Sequence, residues 1–123
     1  MTRTELREKI IHLIYLKDMG GMYSTEEYEE EVLDIVNDVF LHLVDLDQVI
    51  SKNLQNWTID RLNYVDLAII RYAVYEMTYT DTPYEIAINE AINLTKKYSN
   101  LDDDAAKSFN NRLLDNIKTS LFK

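Results

Sequence analysis

An aromatic side chain flanked by amides and cations stands near the C-terminus of the 123-residue chain. The run K-S-F-N-N-R, residues 107–112, sets Phe109 beside two asparagines, with a cation at each end. Aromatic rings stack on unpaired bases, amides hydrogen-bond to base edges and cations neutralise phosphates, so this combination is typical of single-stranded RNA binding. The alternative is a core position, because Phe109 lies four residues before Leu113. The candidate RNA contacts in this run are Lys107, Phe109, Asn111 and Arg112.

A second group of cations lies at the N-terminus. Arg3 and Arg7 fall about one helical turn apart in the segment RTELREK, and a guanidinium can hold a phosphate with two hydrogen bonds or stack on a base. Together with Lys9, these residues also fit an ordinary solvated helix start. If one RNA binds to both regions, the starts of the first and last helices must lie side by side. The single patch would then contain Arg3, Arg7, Lys107 and Arg112.

Catalytic and cofactor chemistry find little support in the residue types. The chain has no cysteine, which excludes disulfides, thiolate metal ligands and cysteine nucleophiles. His12 and His42 lack the H-E-x-x-H or paired E-x-x-H spacing of metal sites. The two glycines are adjacent in one loop, which leaves nothing for a phosphate-binding loop. We therefore expect no catalytic residue, no metal site and no cofactor.

The net charge of −9 argues at first against a nucleic-acid partner. Its distribution changes that argument, because residues 23–55 hold nine acids and one base, whereas residues 1–22 and 101–123 carry net charges of +1 and 0. The two ends of the chain can therefore still form a local basic surface. The acidic run at residues 26–31 fits a solvated helix start, and a face for a metal ion or a basic partner is the alternative.

The composition favours a single all-α domain. One proline and two glycines leave few helix breakers, and a chain of this length can bury about two-thirds of its unfolded surface. No apolar run approaches the roughly 18 residues of a membrane span, and the N-terminus is too charged for a signal peptide. We expect a cytoplasmic protein with no membrane contact.

The stretch from residue 57 to residue 98 organises the rest of the chain. Residues 67–74, LAIIRYAV, are apolar on almost every side and predict a helix inside the core. Arg71 within it needs an acidic partner, which the sequence does not name. Thr82 and Pro83 then predict the N-cap and first position of the next helix. This stretch is therefore predicted to be a buried helical hairpin.

The flanking segments are predicted to be helices that wrap around this hairpin. A capping box at Ser24 begins one long helix to about Asn53, with or without a bend near Asp45. Trp57 is expected to cap the core where that helix ends. The remaining predicted elements are helices at about 3–18, 64–79 and 84–98, a helical turn at 59–62, a loop at 99–101, and a last helix opened by Asp102, Asp103 and Asp104.

Two sequence patterns within the hairpin carry a resemblance to a known family. Residues 57–76 read W-x-x-x-R-L-x-x-V-D-x-A-I-x-R-x-A-x-Y-E, and residues 83–98 read P-x-x-x-A-I-N-E-A-x-x-L-x-K-K-Y. Together they resemble the NusB family of transcription antitermination factors. The resemblance implies two packed helical subdomains in one domain. It places an N-terminal lobe at residues 1–56 and a C-terminal lobe at residues 57–123.

The resemblance also implies partners and contact residues. NusB proteins bind box A single-stranded RNA together with NusE, a small-subunit ribosomal protein, and support rRNA transcription by RNA polymerase. Their RNA contacts come from an arginine-rich N-terminus and from a last-helix motif, F-V-N-G-V-L-D. Here that motif reads F-N-N-R-L-L-D at residues 109–115, so Asn110 and Arg112 depart from it. The positions that match the family's NusE contacts are Tyr15 and Asp66.

The residues also support a second hypothesis, a protein-interaction module on the same scaffold with weak or lost RNA binding. The acidic balance favours it, and so do Thr4 and Glu5, which stand where relatives often carry arginine. The K-S-F-N-N-R run favours RNA binding. Under neither hypothesis is the protein an enzyme.

Overall fold

The computed structural model describes residues 1–99 and 104–122, and over those residues the chain forms α-helices and two short 3-10 turns but no strand. The helices are α1 (Arg3–Asp18), α2 (Glu30–Leu41), α3 (Leu43–Asn53), α4 (Tyr64–Tyr79), α5 (Tyr84–Tyr98) and α6 (Ala105–Leu121). The 3-10 turns are Thr25–Glu27 and Ile59–Arg61. The all-α prediction is confirmed. No helix in the described part of the chain is long and apolar enough to cross a membrane.

Helix α4 is the centre of the packing. Helices α1, α3, α5 and α6 all pack against it, and Ile69, Ile70 and Val74 have no exposed surface. A helix enclosed on every side must be apolar all round, which is why its sequence lacks the one-sided pattern of a surface helix. The prediction of a buried central helix is confirmed. The buried side chains of residues 1–56 and 57–122 form one continuous cluster, so the core itself does not mark a boundary between two lobes. The division into lobes at residue 56 stays a prediction.

Arg71 has two acidic partners in this core. Its Nε and Nη2 donate to the two carboxylate oxygens of Asp47 at 2.9 Å, and its Nη1 lies 3.1 Å from Asp18 Oδ2. Burial alone would lower the pKa of Arg71, but the hydrogen bonds and charges of Asp47 and Asp18 raise it instead. These two ion pairs join α3, through Asp47, and the end of α1, through Asp18, to the central helix.

The long helix predicted for residues 24–53 is wrong in two places. Ser24 caps only the Thr25–Glu27 turn, where its Oγ accepts from the Glu26 amide at 3.3 Å, and α2 begins at Glu30. At His42 the chain leaves helical geometry and α3 starts anew, three residues before the predicted bend. The break redirects the apolar stripe, because α2 packs mainly on α1 whereas α3 packs on α4 and α6.

The start of α5 differs slightly from the prediction. Pro83 is the N-cap residue, so α5 begins at Tyr84, and the Thr82 hydroxyl donates to Glu76 Oε2 at 3.1 Å instead of capping. Asp104 is the N-cap residue of α6. The predicted loop at residues 100–101 and the helix-opening role of Asp102 and Asp103 lie outside the described residues.

Candidate nucleic-acid and partner interfaces

The start of α6 presents polar and aromatic side chains to solvent. Phe109 is 38% exposed, Asn111 and Arg112 are exposed, and Lys107 is half-buried. The opposite face of the helix places Leu113, Leu114 and Ile117 in the core. The alternative of Phe109 as a core residue is therefore wrong. An exposed ring beside an amide and a guanidinium can stack on a base while its neighbours contact base edges and phosphate.

Trp57 is part of the same surface. It is 39% exposed, so the expectation that it caps the core is wrong. Its ring centroid lies 6.3 Å from that of Phe109 at an interplanar angle of 61°, and the Arg61 guanidinium carbon lies 4.0 Å from the Trp57 ring centroid. Neither Trp57 nor Arg61 was expected from the sequence to be a binding residue. Their W-x-x-x-R spacing, close to one helical turn, was the available signal.

Asp66 lies in a buried polar network, not on an accessible surface. It is 8% exposed, and the expectation that it stays accessible to a partner is wrong. Its carboxylate accepts hydrogen bonds from Asn63 Nδ2 at 2.8 Å, from Asn110 Nδ2 at 3.1 Å and from the Ser99 hydroxyl. Asn110 also donates to Thr95 Oγ1 at 3.1 Å. The network joins the start of α4, the end of α5 and the start of α6.

This network accounts for one departure from the family motif. Asn110 stands where the last-helix motif has valine, and it is fully buried. A buried amide is costly unless it is hydrogen-bonded, and here Asp66 and Thr95 accept its two donor hydrogens. The asparagine therefore helps to hold α6 in place, and its neighbours Phe109 and Asn111 are the residues that face solvent.

Arg7 is buried, which corrects its place among the RNA contacts. Its Nε and Nη2 donate to the two carboxylate oxygens of Glu76 at 2.8 and 2.9 Å, and its Nη1 lies 3.6 Å from Glu90 Oε1. The hydrogen bond with Glu76 raises the pKa of Arg7. Only 5% of the residue is exposed, so the guanidinium is committed to joining α1, α4 and α5. It has no free face for a phosphate.

The two predicted RNA regions do not lie side by side. Arg3 is exposed and lines a surface depression with Thr80 and Pro83, beyond the C-terminal end of α4. The start of α6 instead packs at the N-terminal end of α4, where Asn110 meets Asp66. The two regions are separated by roughly the length of the 16-residue helix α4, about 24 Å at 1.5 Å per residue. The expected single patch is therefore wrong.

An apolar groove lies between α1 and the hairpin of α4 and α5. Its volume is about 430 Å³, and the predicted partner contact Tyr15 lies in it, half-buried. The lining residues that matter most here are Ile11, Tyr15, Tyr28, Val65, Leu94 and Tyr98. Exposed apolar surface of this kind is typical of a protein-binding site.

The rim of this groove carries a polar cluster. The Tyr98 hydroxyl donates to Glu8 Oε2 at 2.6 Å, and Lys97 Nζ lies 3.1 Å from Glu8 Oε1. The hydrogen bond from Tyr98 lowers the pKa of Glu8, and Lys97 adds to that effect. Ser99, the next residue after Tyr98, donates to Asp66. The groove and the start of α6 are therefore connected through residues 98 and 99.

Many of the acidic residues lie on α2 and at its start, on a different part of the molecule from the start of α6. Exposed acids of α2 include Glu30, Glu31 and Asp34, and Glu29 at its N-cap pairs with Lys9 at 2.8 Å. Helix α2 packs mainly on α1, whereas α6 packs mainly on α5 and α4. At physiological salt, charges more than about 8–10 Å apart are largely screened. Across residues 1–99 and 104–122, no group of three or more acids or histidines is arranged to hold a metal ion.

Comparisons with known proteins agree with the fold and with these motifs. A sequence model of the NusB family matches residues 6–119. The transcription antitermination protein NusB of Bacillus subtilis is 39% identical over 131 aligned positions, covering 98% of each chain. The corresponding protein of Thermoanaerobacter sp. is 35% identical and covers 85% of this chain and 84% of its own length.

Solved structures share the helical arrangement. NusB of T. maritima superposes with a TM-score of 0.79 at 24% identity, covering 97% of this chain and 92% of that one. A chain in the structure named "Crystal Structure of a Plectonemic RNA Supercoil" gives a TM-score of 0.83 at 24% identity, covering 98% and 96%. The family match spans most of the sequence, and several relatives exceed 30% identity along nearly the whole chain. The chain therefore belongs to the NusB family.

Proposed function

We propose that the protein binds box A-type single-stranded RNA together with the ribosomal protein NusE and supports rRNA transcription. It belongs to a family of transcription antitermination factors, so it is not an enzyme. The observation that carries the RNA proposal is the exposed ring of Phe109 at a helix start that also bears Asn111 and Arg112. RNA polymerase is reached indirectly, through the bound RNA and NusE, and the site of action is the cytoplasm.

The proposed RNA surface is centred on the start of α6. Phe109 supplies the stacking ring, Asn111 hydrogen-bonds to base edges, and Lys107 and Arg112 contact phosphates. Arg3 lies about 24 Å away, at the other end of α4, so it contacts only an RNA that continues across the molecule. Arg7 is not part of this proposal, since its guanidinium is buried against Glu76.

The proposed NusE surface is the apolar groove around Tyr15. Its aromatic and aliphatic lining suits a hydrophobic partner segment, with Glu8 and Lys97 on the rim for polar contacts. Asp66 acts indirectly, by holding Ser99 and Asn110 on either side. Because one network supports both surfaces, RNA and NusE can bind next to each other, which favours joint recognition.

Phe109→Ala is expected to weaken box A RNA binding by about 1–3 kcal/mol, the usual contribution of one stacked base. The side chain is exposed, so the melting temperature should change little. Titration of labelled box A RNA, with and without NusE, measures the effect. Phe122→Ala is the matched control, because Phe122 is 70% exposed at the opposite end of α6. Equal RNA affinity for the wild type and Phe109→Ala would contradict the proposal.

Tyr15→Ala is expected to weaken NusE binding by about 2 kcal/mol, because an aromatic residue in an apolar groove is a typical interface anchor. Isothermal titration with purified NusE measures it in the absence of RNA. Tyr79→Ala serves as the control, since Tyr79 is 41% exposed and lies at the far end of α4. Unchanged NusE affinity for Tyr15→Ala would place the partner elsewhere.

The second candidate function is a protein-interaction module without RNA binding. The burial of Arg7 favours it, because this leaves Arg3 as the exposed arginine of α1. The net charge of −9 also favours a module without RNA binding, because it repels a polyanion. The same titration separates the two functions. Box A RNA that fails to bind even with NusE present, while NusE itself binds, would establish the module.

A further inference from the structure

We propose that Trp57 and an adjoining amide-lined groove continue the RNA-binding surface from Phe109 along α6 to the end of α3. This inference rests on the proposed RNA binding and adds a second stacking residue and a path for the strand. It concerns residues 52–57 and the part of α6 after residue 115. The family's last-helix motif covers residues 109–115 and includes neither of these segments.

The first observation is a pair of exposed aromatic rings with a cation on one of them. Trp57 and Phe109 are 39% and 38% exposed with ring centroids 6.3 Å apart. The Arg61 guanidinium carbon lies 4.0 Å from the Trp57 ring centroid. The rings are steeply inclined to each other, at 61°, so they offer separate faces to two bases. A guanidinium held over a ring can also reach a phosphate of the same strand.

The backbone before Trp57 is held in an unusual conformation. Asn56 has φ +58°, in the left-handed region that asparagine tolerates better than most residues. This residue lies between the end of α3 and the Ile59–Arg61 turn that carries Arg61. The indole of Trp57, the next residue, lies beside Phe109 of α6.

The second observation is a polar groove next to these rings. Its volume is about 350 Å³, and it is lined by Lys52, Asn53, Gln55, Asn116, Thr119 and Ser120. The lining has amides, hydroxyls and one cation, and it contains no carboxylate, although the chain carries 22 acidic residues. Amides and hydroxyls can donate to and accept from base edges and the 2′-hydroxyl of RNA. Lys52 supplies a phosphate contact.

The two observations belong to one continuous strip. Phe109, Arg112, Asn116 and Ser120 follow each other at spacings of three or four residues, so they share one face of α6. Helix α3 packs against α6, and residues 52–57 run from its last turn into the segment that follows it. From Phe109 to Ser120 the strip is about 16 Å long. That length suits several nucleotides of a single strand, within the roughly 4–16 that compact single-strand binders cover.

The composition of the strip favours RNA over a protein partner. The apolar groove around Tyr15 already offers the hydrophobic surface that a protein partner needs. The strip instead combines stacking rings, amides and the cations Lys52, Arg61 and Arg112. These are the groups that bind bases and phosphates.

The single tryptophan of the chain makes the inference directly measurable. A box A RNA of about 12 nucleotides, within the usual site size, is titrated in the presence of NusE with two readouts. Anisotropy of a labelled RNA reports binding, and the change in tryptophan emission on adding RNA to the preformed complex reports contact with Trp57, provided that NusE lacks tryptophan or carries phenylalanine in its place. We expect emission to be quenched with the same midpoint as the anisotropy change.

Trp57→Ala should lower RNA affinity by about 5- to 150-fold, the value of one stacked base, and Trp57→Phe should recover most of it. Gln55→Ala and Lys52→Ala test the groove without touching the core, since both residues are exposed. Lys52→Ala should also reduce the salt dependence of binding, because it removes one phosphate contact. Tyr79→Ala, of similar exposure to Trp57, should bind RNA like the wild type.

The outcomes separate this inference from the proposed function. If anisotropy shows binding but tryptophan emission does not change and Trp57→Ala binds like the wild type, the inference is wrong and the proposed function stands. If no RNA binds to the wild type, both are wrong. If NusE alone, without RNA, quenches Trp57 as strongly as the complete complex does, the strip belongs to the protein partner and the inference is overturned.

Discussion

Glu76→Ala is expected to lower the free energy of unfolding by about 3–5 kcal/mol, because it leaves the Arg7 guanidinium buried without its main partner. Residues Glu76 and Arg7 are 4% and 5% exposed, and their paired hydrogen bonds measure 2.8 and 2.9 Å. Glu90 remains 3.6 Å from Arg7 Nη1, too far to replace a hydrogen-bonded carboxylate. Domains of this kind are stable by about 5–15 kcal/mol, so the loss should be plain in a urea titration.

A double variant tests whether the pair is structural. Arg7→Met with Glu76→Leu removes both charges and keeps apolar volume, and such replacements of buried pairs are often neutral. We expect the double variant to recover most of the stability lost in Glu76→Ala and to bind box A RNA like the wild type. A Glu76→Ala protein within about 0.5 kcal/mol of the wild type, the usual range for surface substitutions, would show that the pair contributes little. Loss of RNA binding in a stable double variant would return Arg7 to the RNA surface.

The fold was largely predictable because its central helix leaves a clear pattern. Residues 67–74, apolar except for Arg71, have no polar face, so this run fits only the middle of a helical core. Residues 24–53 were harder, because apolar periodicity continues through a helix break. The break is needed because α2 packs on α1 whereas α3 packs on α4 and α6. That difference is a property of the tertiary structure, and no local sequence pattern shows it. At His42 the helix end is supported by its own ring nitrogen, 2.9 Å from the Asp38 carbonyl oxygen.

Helix periodicity alone did not predict which residues of the candidate site are exposed. Phe109 and Leu113 are four residues apart, yet only Leu113 is in the core. From the sequence, Phe109 could be either an exposed RNA contact or a core residue. Arginines were the hardest residues to assign, because an arginine in a charged N-terminal segment looks solvated. Arg3 is exposed, whereas Arg7, one turn later, meets a glutamate 69 residues away in the chain. No local pattern records such a partner.

Residues that act at a distance from their own segment share this difficulty. The family resemblance placed Asp66 at a partner surface, and the spacing Asn63–Asp66 indicates only a local helix cap. Ser99 and Asn110 donate hydrogen bonds to the same buried carboxylate, and they lie 33 and 44 residues further on in the chain. The replacement of the motif valine by Asn110 was visible in the sequence, but its meaning required the position of Asp66.

Asp66→Ala is expected to destabilise the protein by about 3 kcal/mol, well beyond the roughly 1 kcal/mol of a simple helix cap. Removing the carboxylate leaves the buried Ser99 hydroxyl and Asn110 amide without this acceptor, and it also removes the partly buried bond from Asn63. Hydrogen bonds to a charged group contribute about 1.5–3 kcal/mol each. Asp81→Ala, at an exposed position, is the matched control and should change stability by less than about 0.5 kcal/mol. Urea titration of the three proteins measures both effects.

The same variant separates the two roles that Asp66 could have toward NusE. If Asp66 supports the interface from within, NusE affinity should fall together with stability, and the double variant Asp66→Ala with Asn110→Val should regain part of both, because it removes one stranded amide. If Asp66 touches NusE directly, affinity should fall in the double variant as much as in the single one, and stability should stay within about 1 kcal/mol of the wild type. The burial of the carboxylate and its three side-chain donors favour the first result.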